Sequence, residues 1–157
     1  MTLRDVAIRT NERGVWNQWG FLKMQDCTVS GTGIGVFNEH GVVEMASCNV
    51  VDNTNEGIYN LFGSVALRDS LVQGNSPGIC SVNGNVSYLP VASLALHNTR
   101  VTENSSTTTG AGILNISNGS TYGLVTLADG SLVCGNTPAE SQCDGFDSSG
   151  CVLTCPG

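Results

Sequence analysis

A recurring phrase is the feature that most constrains how this chain can fold. Residues 67–75 read LRDSLVQGN, residues 3–11 read LRDVAIRTN, and residues 127–136 read LADGSLVCGN. Aligned on this phrase, the chain divides into units whose first three spacings are 21, 22 and 21 residues, beginning at Gly14, Gly35, Gly57, Gly78 and Gly112. A unit of about 20 residues cannot bury its own apolar face, so a fixed period of this length predicts a solenoid of stacked units.

The columns of the alignment predict strands. Apolar and polar residues alternate over short runs separated by Gly and Asn, which is strand periodicity interrupted by turns. Two apolar columns are candidates for the interior: Val15, Val36, Ile58, Ile79, Ile113; and Ile8, Val29, Val50, Val72, Val101, Val133. Two amide-rich columns follow them: Asn17, Asn38, Asn60, Ser81, Asn115; and Asn11, Thr32, Asn53, Asn75, Asn104, Asn136.

These columns predict an all-β, single-stranded parallel β-helix of about five or six coils, with about 21–22 residues per coil. Equivalent residues then stack about 4.8 Å apart. We expect the amide columns to form hydrogen-bonded ladders at turns, and the glycine column to mark turns that need a positive φ. Residues 1–136 are expected to form the coils and residues 137–157 a cysteine-rich cap.

The first residues, MTLRDVAIRT, continue the repeat and contain no apolar leader segment. We therefore expect an incomplete first coil. Its open strand edges invite pairing, so the expected partners at this end are preceding coils or another protein chain.

The rhythm GIYN…G…L-x-D-S-x-V-x-G-N in residues 57–75 resembles the right-handed parallel β-helix proteins of the pectate-lyase-like superfamily. Within that superfamily it is most similar to the non-catalytic repeats of polymorphic outer-membrane-protein type adhesins and related surface proteins. The resemblance covers roughly residues 1–136. It implies right-handed coils and a non-catalytic role, although such repeats specify architecture more closely than function.

Charge and hydropathy exclude two classes of partner. The net charge is −7 and the six basic residues are scattered, whereas nucleic acid requires basic patches. No apolar run approaches the roughly 20 residues of a membrane helix. We expect no nucleic-acid partner, no membrane insertion, no cofactor and no metal.

The cysteines fall into two groups. Cys27 and Cys48 share a column in adjacent coils, so they form either a disulfide or two free buried thiols. Four cysteines crowd the tail and predict a two-disulfide cap: Cys134, Cys143, Cys151, Cys155. A zinc site in the tail is the other interpretation, although the tail lacks a paired CxxC and a nearby His.

Four Asn-x-Ser/Thr sequons are candidate glycosylation sites: Asn85, Asn104, Asn115 and Asn118. Three of them lie in or beside insertions to the repeat. Together with the cysteine-rich tail, they favour an extracellular or cell-surface glycoprotein.

Two aromatic columns are the candidate binding surface. Trp16, Phe37 and Tyr59 form the first column, and Trp19, His40 and Phe62 form the second, three residues later in each unit. If the β-branched column points inward, strand alternation turns the first aromatic column outward. Such a ladder can bind a protein or stack on sugar rings, or it is ordinary packing beneath another segment.

Charged columns have simpler interpretations. One column contains Asp5, Asp26, Asp69 and Asp129 together with Ser47 and Asn98. This composition suits a turn position. The alternative is a calcium ion bound between Asp5 and Asp26. Lys23 and Glu44 are expected to pair across coils, and a surface pair of this kind contributes about 0–1 kcal/mol.

These observations favour a non-catalytic extracellular or cell-surface scaffold that mediates adhesion or assembly. The alternative is a carbohydrate-active or carbohydrate-binding protein that uses the aromatic columns, so enzymatic activity is the less favoured hypothesis. Ice binding by a threonine face is a third hypothesis, which the absence of a regular Thr-x-Thr column disfavours.

Overall fold

The computed structural model describes residues 1–84, 92–107, 110–117, 123–138, 143–144 and 155. Across these residues the protein is all-β, with short strands joined by turns and no helix. Accordingly, this part of the chain contains no helix long and apolar enough to cross a membrane.

The strands of the described residues are two to six residues long. They are β1 (Thr2–Arg4), β2 (Ala7–Arg9), β3 (Arg13–Gln18), β4 (Phe21–Gln25), β5 (Thr28–Ser30), β6 (Ile34–Glu39), β7 (Val42–Ala46), β8 (Asn49–Val51), β9 (Ile58–Leu61), β10 (Ser64–Arg68), β11 (Leu71–Gln73), β12 (Ile79–Asn83), β13 (Ser93–His97), β14 (Arg100–Thr102), β15 (Ile113–Ser117), β16 (Leu124–Ala128), β17 (Leu132–Cys134) and β18 (Cys143–Asp144).

Three parallel six-stranded sheets organise these strands, with every third strand in the same sheet. The orders are β1-β4-β7-β10-β13-β16, β2-β5-β8-β11-β14-β17 and β3-β6-β9-β12-β15-β18. We call one strand from each sheet, together with its turns, a rung. The register places equivalent residues of adjacent rungs side by side, as with Val29, Val50 and Val72. The protein is therefore a parallel β-solenoid, as the repeat predicted.

Strand alternation separates the interior from the surface. In β4, Leu22 and Met24 are buried, whereas Lys23 between them is exposed. The aliphatic column Val29, Val50, Val72, Val101 and Val133 is fully buried. Burying each such side chain stabilises the fold by about 1.5–3 kcal/mol, so the stacked columns form one continuous core.

The second amide column forms the predicted ladder at a turn. Oδ1 of Asn53 accepts hydrogen bonds from the backbone N–H and Oγ1 of Thr32, at 3.0 and 2.8 Å. The amide-to-amide bonds continue from Asn53 to Asn75, Asn104 and Asn136 at 2.8–3.0 Å. Each buried amide is thereby satisfied by its neighbours in the adjacent rungs.

The glycine column has a different role from the predicted one. Its φ angles are not positive; among the described residues the positive-φ glycines are Gly31, Gly74, Gly110, Gly130 and Gly135. A Cβ at Gly35 would instead collide with the carbonyl oxygen of Gly57 in the next rung. This column consists of glycine because adjacent rungs approach too closely there for a side chain.

The aspartate column does occupy a turn, as predicted. Its members adopt left-handed backbone conformations, with φ between 45° and 54°: Asp5, Asp26, Ser47, Asp69, Asn98 and Asp129. Asp and Asn tolerate this conformation better than most residues. Within the described residues, no group of three His, Cys, Asp or Glu side chains is arranged to hold a metal ion.

Candidate functional site

The first aromatic column projects outward from one sheet. Trp16 of β3, Phe37 of β6 and Tyr59 of β9 are in register across adjacent rungs. Each lies between two inward residues of its strand, as Trp16 does between Val15 and Asn17, both buried. Strand alternation therefore turns these rings to the surface, as the sequence predicted.

The rings of this column contact one another. Trp16 meets Phe37 edge-on, with centroids 6.1 Å apart and planes at 87°, and Phe37 stacks on Tyr59 at 5.3 Å and 5°. The guanidinium carbon of Arg13 lies 4.7 Å from the Trp16 ring centroid and 5.0 Å from that of Phe37. Edge-on and offset pairs with a nearby cation stabilise such arrangements, so the column is an ordered surface.

The second aromatic column lies in the turn that follows this sheet. Trp19, His40 and Phe62 have φ angles of 56°, 53° and 56°. Trp19 stacks on His40 with centroids 4.1 Å apart and an interplanar angle of 7°, and His40 contacts Phe62 at 5.2 Å. We call these three residues together with Trp16, Phe37 and Tyr59 the aromatic surface.

A left-handed conformation is costly for a bulky residue. The turn tolerates it because backbone bonds to the next rung hold each residue in place. The N–H groups of Trp19 and His40 donate to the carbonyls of Glu39 and Leu61, both at 2.9 Å. The turn therefore presents its side chains in a repeated, fixed orientation.

An inward amide ladder supports the aromatic surface from behind. Nδ2 of Asn17 donates to Oδ1 of Asn38 at 2.8 Å, and Nδ2 of Asn38 donates to Oδ1 of Asn60 at 2.9 Å. Nδ2 of Asn60 then donates to Oγ of Ser81 at 3.3 Å. These residues lie between the two aromatic columns in each rung, so the ladder fixes the spacing of the rings outside it.

Exposure of the aromatic surface is greatest in the first rung. Trp16 is 55% exposed and Trp19 is 69% exposed, whereas the aromatic residues of the next two rungs are half-buried. In the fourth rung, Cys80 occupies the outward position next to Tyr59 and is buried. The accessible part of the surface is therefore concentrated beside β3.

Burial and nearby charges raise the pKa values of two ionisable groups at this surface. The pKa of Tyr59 is raised by burial, with smaller contributions from the nearby charges of Cys80 and Glu56. Burial, with Glu56 as the second cause, raises the pKa of the Cys80 thiol to about 12. Both groups are therefore neutral at physiological pH.

A groove on a different sheet was missed by the sequence analysis. It has a volume of about 470 Å³, and its polar lining comes from the outward side chains of β4, β7, β10 and β13: Lys23, Gln25, Glu44, Arg68 and His97. The small outward residues Ala46 and Ala66 also line it, but they lie in different columns of the repeat and gave no signal in the sequence. The predicted pair lies here, with Nζ of Lys23 3.7 Å from Oε2 of Glu44.

The structure shows one disulfide in the tail and, of the two alternatives for Cys27 and Cys48, the free thiols. Cys134 and Cys155 form a disulfide, which joins two of the four tail candidates. Cys27 and Cys48 are free buried thiols, as is Cys80. Cys151 and the side chain of Cys143 lie outside the described residues, as does most of the predicted cap.

The column of Cys27 and Cys48 continues with hydroxyl residues, which the sequence analysis did not include. Sγ of Cys48 donates to the carbonyl of Ala46 at 3.2 Å. The hydroxyls of the later rungs make the same bond to a carbonyl two or three residues back: Ser70, Thr99 and Ser131. The position requires a small donor, and a thiol meets this need without forming a disulfide.

Two of the four sequon predictions conflict with the fold. Asn104 is fully buried, and its Nδ2 donates to the carbonyl of Val72 at 3.1 Å and to Asn136 at 2.9 Å. Asn115 is also buried, and its Nδ2 donates to the carbonyl of Gly123 at 3.0 Å. Neither nitrogen is accessible to a glycan in the folded protein. Asn85 and Asn118 lie outside the described residues.

No protein-family model, no curated protein and no solved structure matches this chain. The aromatic surface is therefore characterised by its own geometry.

Proposed function

We propose that this protein is a non-catalytic extracellular or cell-surface scaffold that mediates adhesion or assembly through its aromatic surface. The observation that carries the proposal is the exposure of Trp16 and Trp19 on an ordered aromatic ladder. Large exposed aromatic residues are enriched where proteins bind partners. A ladder backed by hydrogen-bonded rungs requires little ordering upon binding, which favours affinity.

The fold and location are proposed in finer detail. We propose right-handed coils, five or six in number, in keeping with the resemblance to pectate-lyase-like repeats and with the handedness preferred by parallel crossovers. The Cys134–Cys155 disulfide supports an oxidising and hence extracellular or cell-surface location.

The alternative function is carbohydrate binding or processing along the same columns. The observation that favours it is the exposure of Trp16 and Trp19 close together in the first rung, since exposed indole rings can stack on sugar rings. Arg13, next to Trp16 and Phe37, would add a hydrogen-bond donor for a polysaccharide.

One set of variants separates these two functions. The full chain, the double variant Trp16→Ala/Trp19→Ala and the control Leu124→Ala are compared on a glycan array and by sedimentation velocity. Leu124 is an exposed apolar residue at 63% on β16, outside the aromatic surface. Self-association or binding to a purified protein that is lost only in the double variant supports the scaffold.

Glycan binding that is lost only in the double variant supports the alternative. Interactions that survive the double substitution and disappear with Leu124→Ala would contradict both proposals.

A further inference from the structure

We propose that the groove on the outward face of β4, β7, β10 and β13 binds a small polyhydroxy carboxylate, with Arg68 holding the carboxylate and His97 accepting a hydrogen bond from a hydroxyl. This inference goes beyond the proposed scaffold function, since the groove contains none of the residues of the aromatic surface. The groove spans the second to fifth rungs, so a further rung of the described stack lies on each side of it.

Two alanines give the groove its depth. Ala46 lies between Gln25 and Arg68 in one outward column, and Ala66 lies beside Glu44 in the next column. The short methyl side chains form the floor, and the longer side chains around them form the walls. The volume of about 470 Å³ falls in the range of small-molecule sites, which is about 300–1,000 Å³.

Arg68 is an uncompensated cation in this groove. Its guanidinium makes no ion pair and no hydrogen bond within the described part of the chain. By contrast, Nζ of Lys23 lies 3.7 Å from Oε2 of Glu44, so these two charges offset each other. A guanidinium binds a carboxylate through two parallel N–H donors. Arg68 is therefore suited to hold a planar anionic group over the alanine floor.

His97 adds an acceptor beside this cation. Arg68 and His97 are in register on adjacent strands. Nδ1 of His97 lies 2.7 Å from Oδ2 of Asp129, and an ionised carboxylate only accepts, so Nδ1 carries the proton. In the neutral imidazole, Nε2 is then an acceptor, and among the described residues it has no partner. This nitrogen can accept a hydrogen bond from a ligand hydroxyl close to the carboxylate.

The opposite end of the groove offers polar groups for further hydroxyls. Oε1 of Gln25 accepts a hydrogen bond from Nη2 of Arg4 at 2.8 Å, which leaves Nε2 of Gln25 to donate to a ligand. The carboxylate of Glu44 has lone pairs beyond its contact with Lys23. A polyol can pair with such donors and acceptors, whereas an alkyl chain would displace water from them without replacing its hydrogen bonds.

The charge of the chain favours a ligand with a single negative charge. The net charge is −7, so the protein as a whole repels anions. A phosphate monoester carries a charge of about −1.5 to −2 at neutral pH, and the part beyond one unit would exceed what Arg68 offsets. A carboxylate carries one negative charge, which a single guanidinium matches. We therefore assign the anionic group as a carboxylate.

Three six-carbon probes separate the charge from the hydroxyls. Gluconate has both, sorbitol lacks the carboxylate, and hexanoate lacks the hydroxyls. The full chain with isotope-labelled alanine methyls is titrated with each probe by NMR. The methyls of Ala46 and Ala66 report on the groove, and that of Ala7, exposed on β2, is the internal reference.

We expect gluconate to shift the two groove methyls in a saturable manner, with a dissociation constant on the order of 1 mM. The Ala7 methyl should not shift. Sorbitol and hexanoate should each bind at least about tenfold more weakly, because each leaves one set of polar groups in the groove unpaired.

Two variants test the assigned residues. Arg68→Gln removes the charge, and Arg100→Gln is the matched control because Arg100 is exposed on β14 in another sheet. We expect gluconate to bind at least about tenfold more weakly to the first variant and equally well to the second. His97→Phe keeps a ring and removes the acceptor, so it should weaken gluconate binding by about tenfold and leave hexanoate binding unchanged.

Three results would overturn the proposal. The first is the absence of a saturable shift at Ala46 and Ala66 with gluconate up to about ten times the expected dissociation constant. The second is equal affinity for gluconate and sorbitol, or an unchanged gluconate affinity in Arg68→Gln, since either would show that the carboxylate is not recognised. The third is tighter binding of sorbitol 6-phosphate than of gluconate, which would assign the groove to phosphate esters.

Discussion

Replacing Asn38 by leucine tests the contribution of the amide ladder to stability. Asn38 is fully buried, and its Nδ2 donates to the carbonyl of Gly41 at 2.9 Å and to Oδ1 of Asn60 at 2.9 Å. Its Oδ1 accepts from Nδ2 of Asn17 at 2.8 Å. Leucine has a similar size and makes none of these bonds.

The expected loss follows from the groups left behind. The Gly41 carbonyl keeps the N–H of Ser64 as a donor at 2.9 Å. The Asn60 amide oxygen loses its donor inside the core, and a buried polar group left unsatisfied costs about 1–3 kcal/mol. Asn17 keeps its bond to the carbonyl of Gly20 at 3.0 Å and contributes little. We expect the free energy of unfolding to fall by about 1–3 kcal/mol, the cost of the one amide oxygen left unsatisfied.

Urea unfolding followed by far-UV circular dichroism measures this change. Gln18→Leu is the control, because Gln18 is exposed and its Nε2 donates to Oε2 of Glu39 at the surface, at 2.9 Å. We expect this variant to lose less than half as much stability. A loss below about 1 kcal/mol for Asn38→Leu, or equal losses for the two variants, would refute a stabilising role for the ladder.

Three further predictions concern individual positions. In Gly41→Ala the new Cβ would collide with Nδ2 of Asn17. We therefore expect urea unfolding to show that the free energy of unfolding falls by about 1–3 kcal/mol. An unchanged urea midpoint would contradict this expectation. Burial raises the pKa of Cys48 from 9.0 to about 11. The unfolded chain therefore releases this proton at a lower pH, and the free energy of unfolding should fall as pH rises from about 9 to 11. Alkylation of Cys48 at pH 8, followed by mass spectrometry, should be at least about a hundredfold slower in the folded chain than in urea, and equal rates would contradict the burial. Cys155→Ser removes the disulfide to Cys134, which closes a loop with a sequence separation of 21. We expect thermal unfolding to show that the free energy of unfolding falls by about 3 kcal/mol. An unchanged unfolding temperature would contradict a stabilising role for the disulfide.

The repeat made the stacking predictable because each rung must match its neighbours. Val29, Val50 and Val72 align in the sequence and lie side by side in the sheet. Alternation likewise identified Trp16 as outward, since Val15 and Asn17 on either side face the core. These predictions are confirmed because two periods determine where each side chain lies. The alternation along a strand determines whether it points inward or outward, and the repeat determines which residue of the adjacent rung lies beside it.

The errors arose where one residue type serves two physical purposes. Gly35 was assigned to a positive φ, whereas it is required by the close approach of Gly57. Asn104 belongs to the amide column and also begins a sequon, and its column membership was the better guide because the ladder buries it. Cys27 and Cys48 could not be assigned from spacing alone, since stacked thiols and a disulfide share the same column.

The groove near Arg68 and His97 was not predictable from composition. It depends on small outward side chains in adjacent strands, such as Ala46 and Ala66. Single alanines in a strand carry no individual signal, and only the register brings them together.

The most direct test of the stacked-rung architecture is a methyl NOE experiment on selectively labelled valines. Parallel in-register stacking predicts strong contacts from Val29 to Val50 and from Val50 to Val72, at about the 4.8 Å strand spacing. Missing valine contacts, accompanied by the close Hα–Hα contacts of antiparallel pairs, would contradict it.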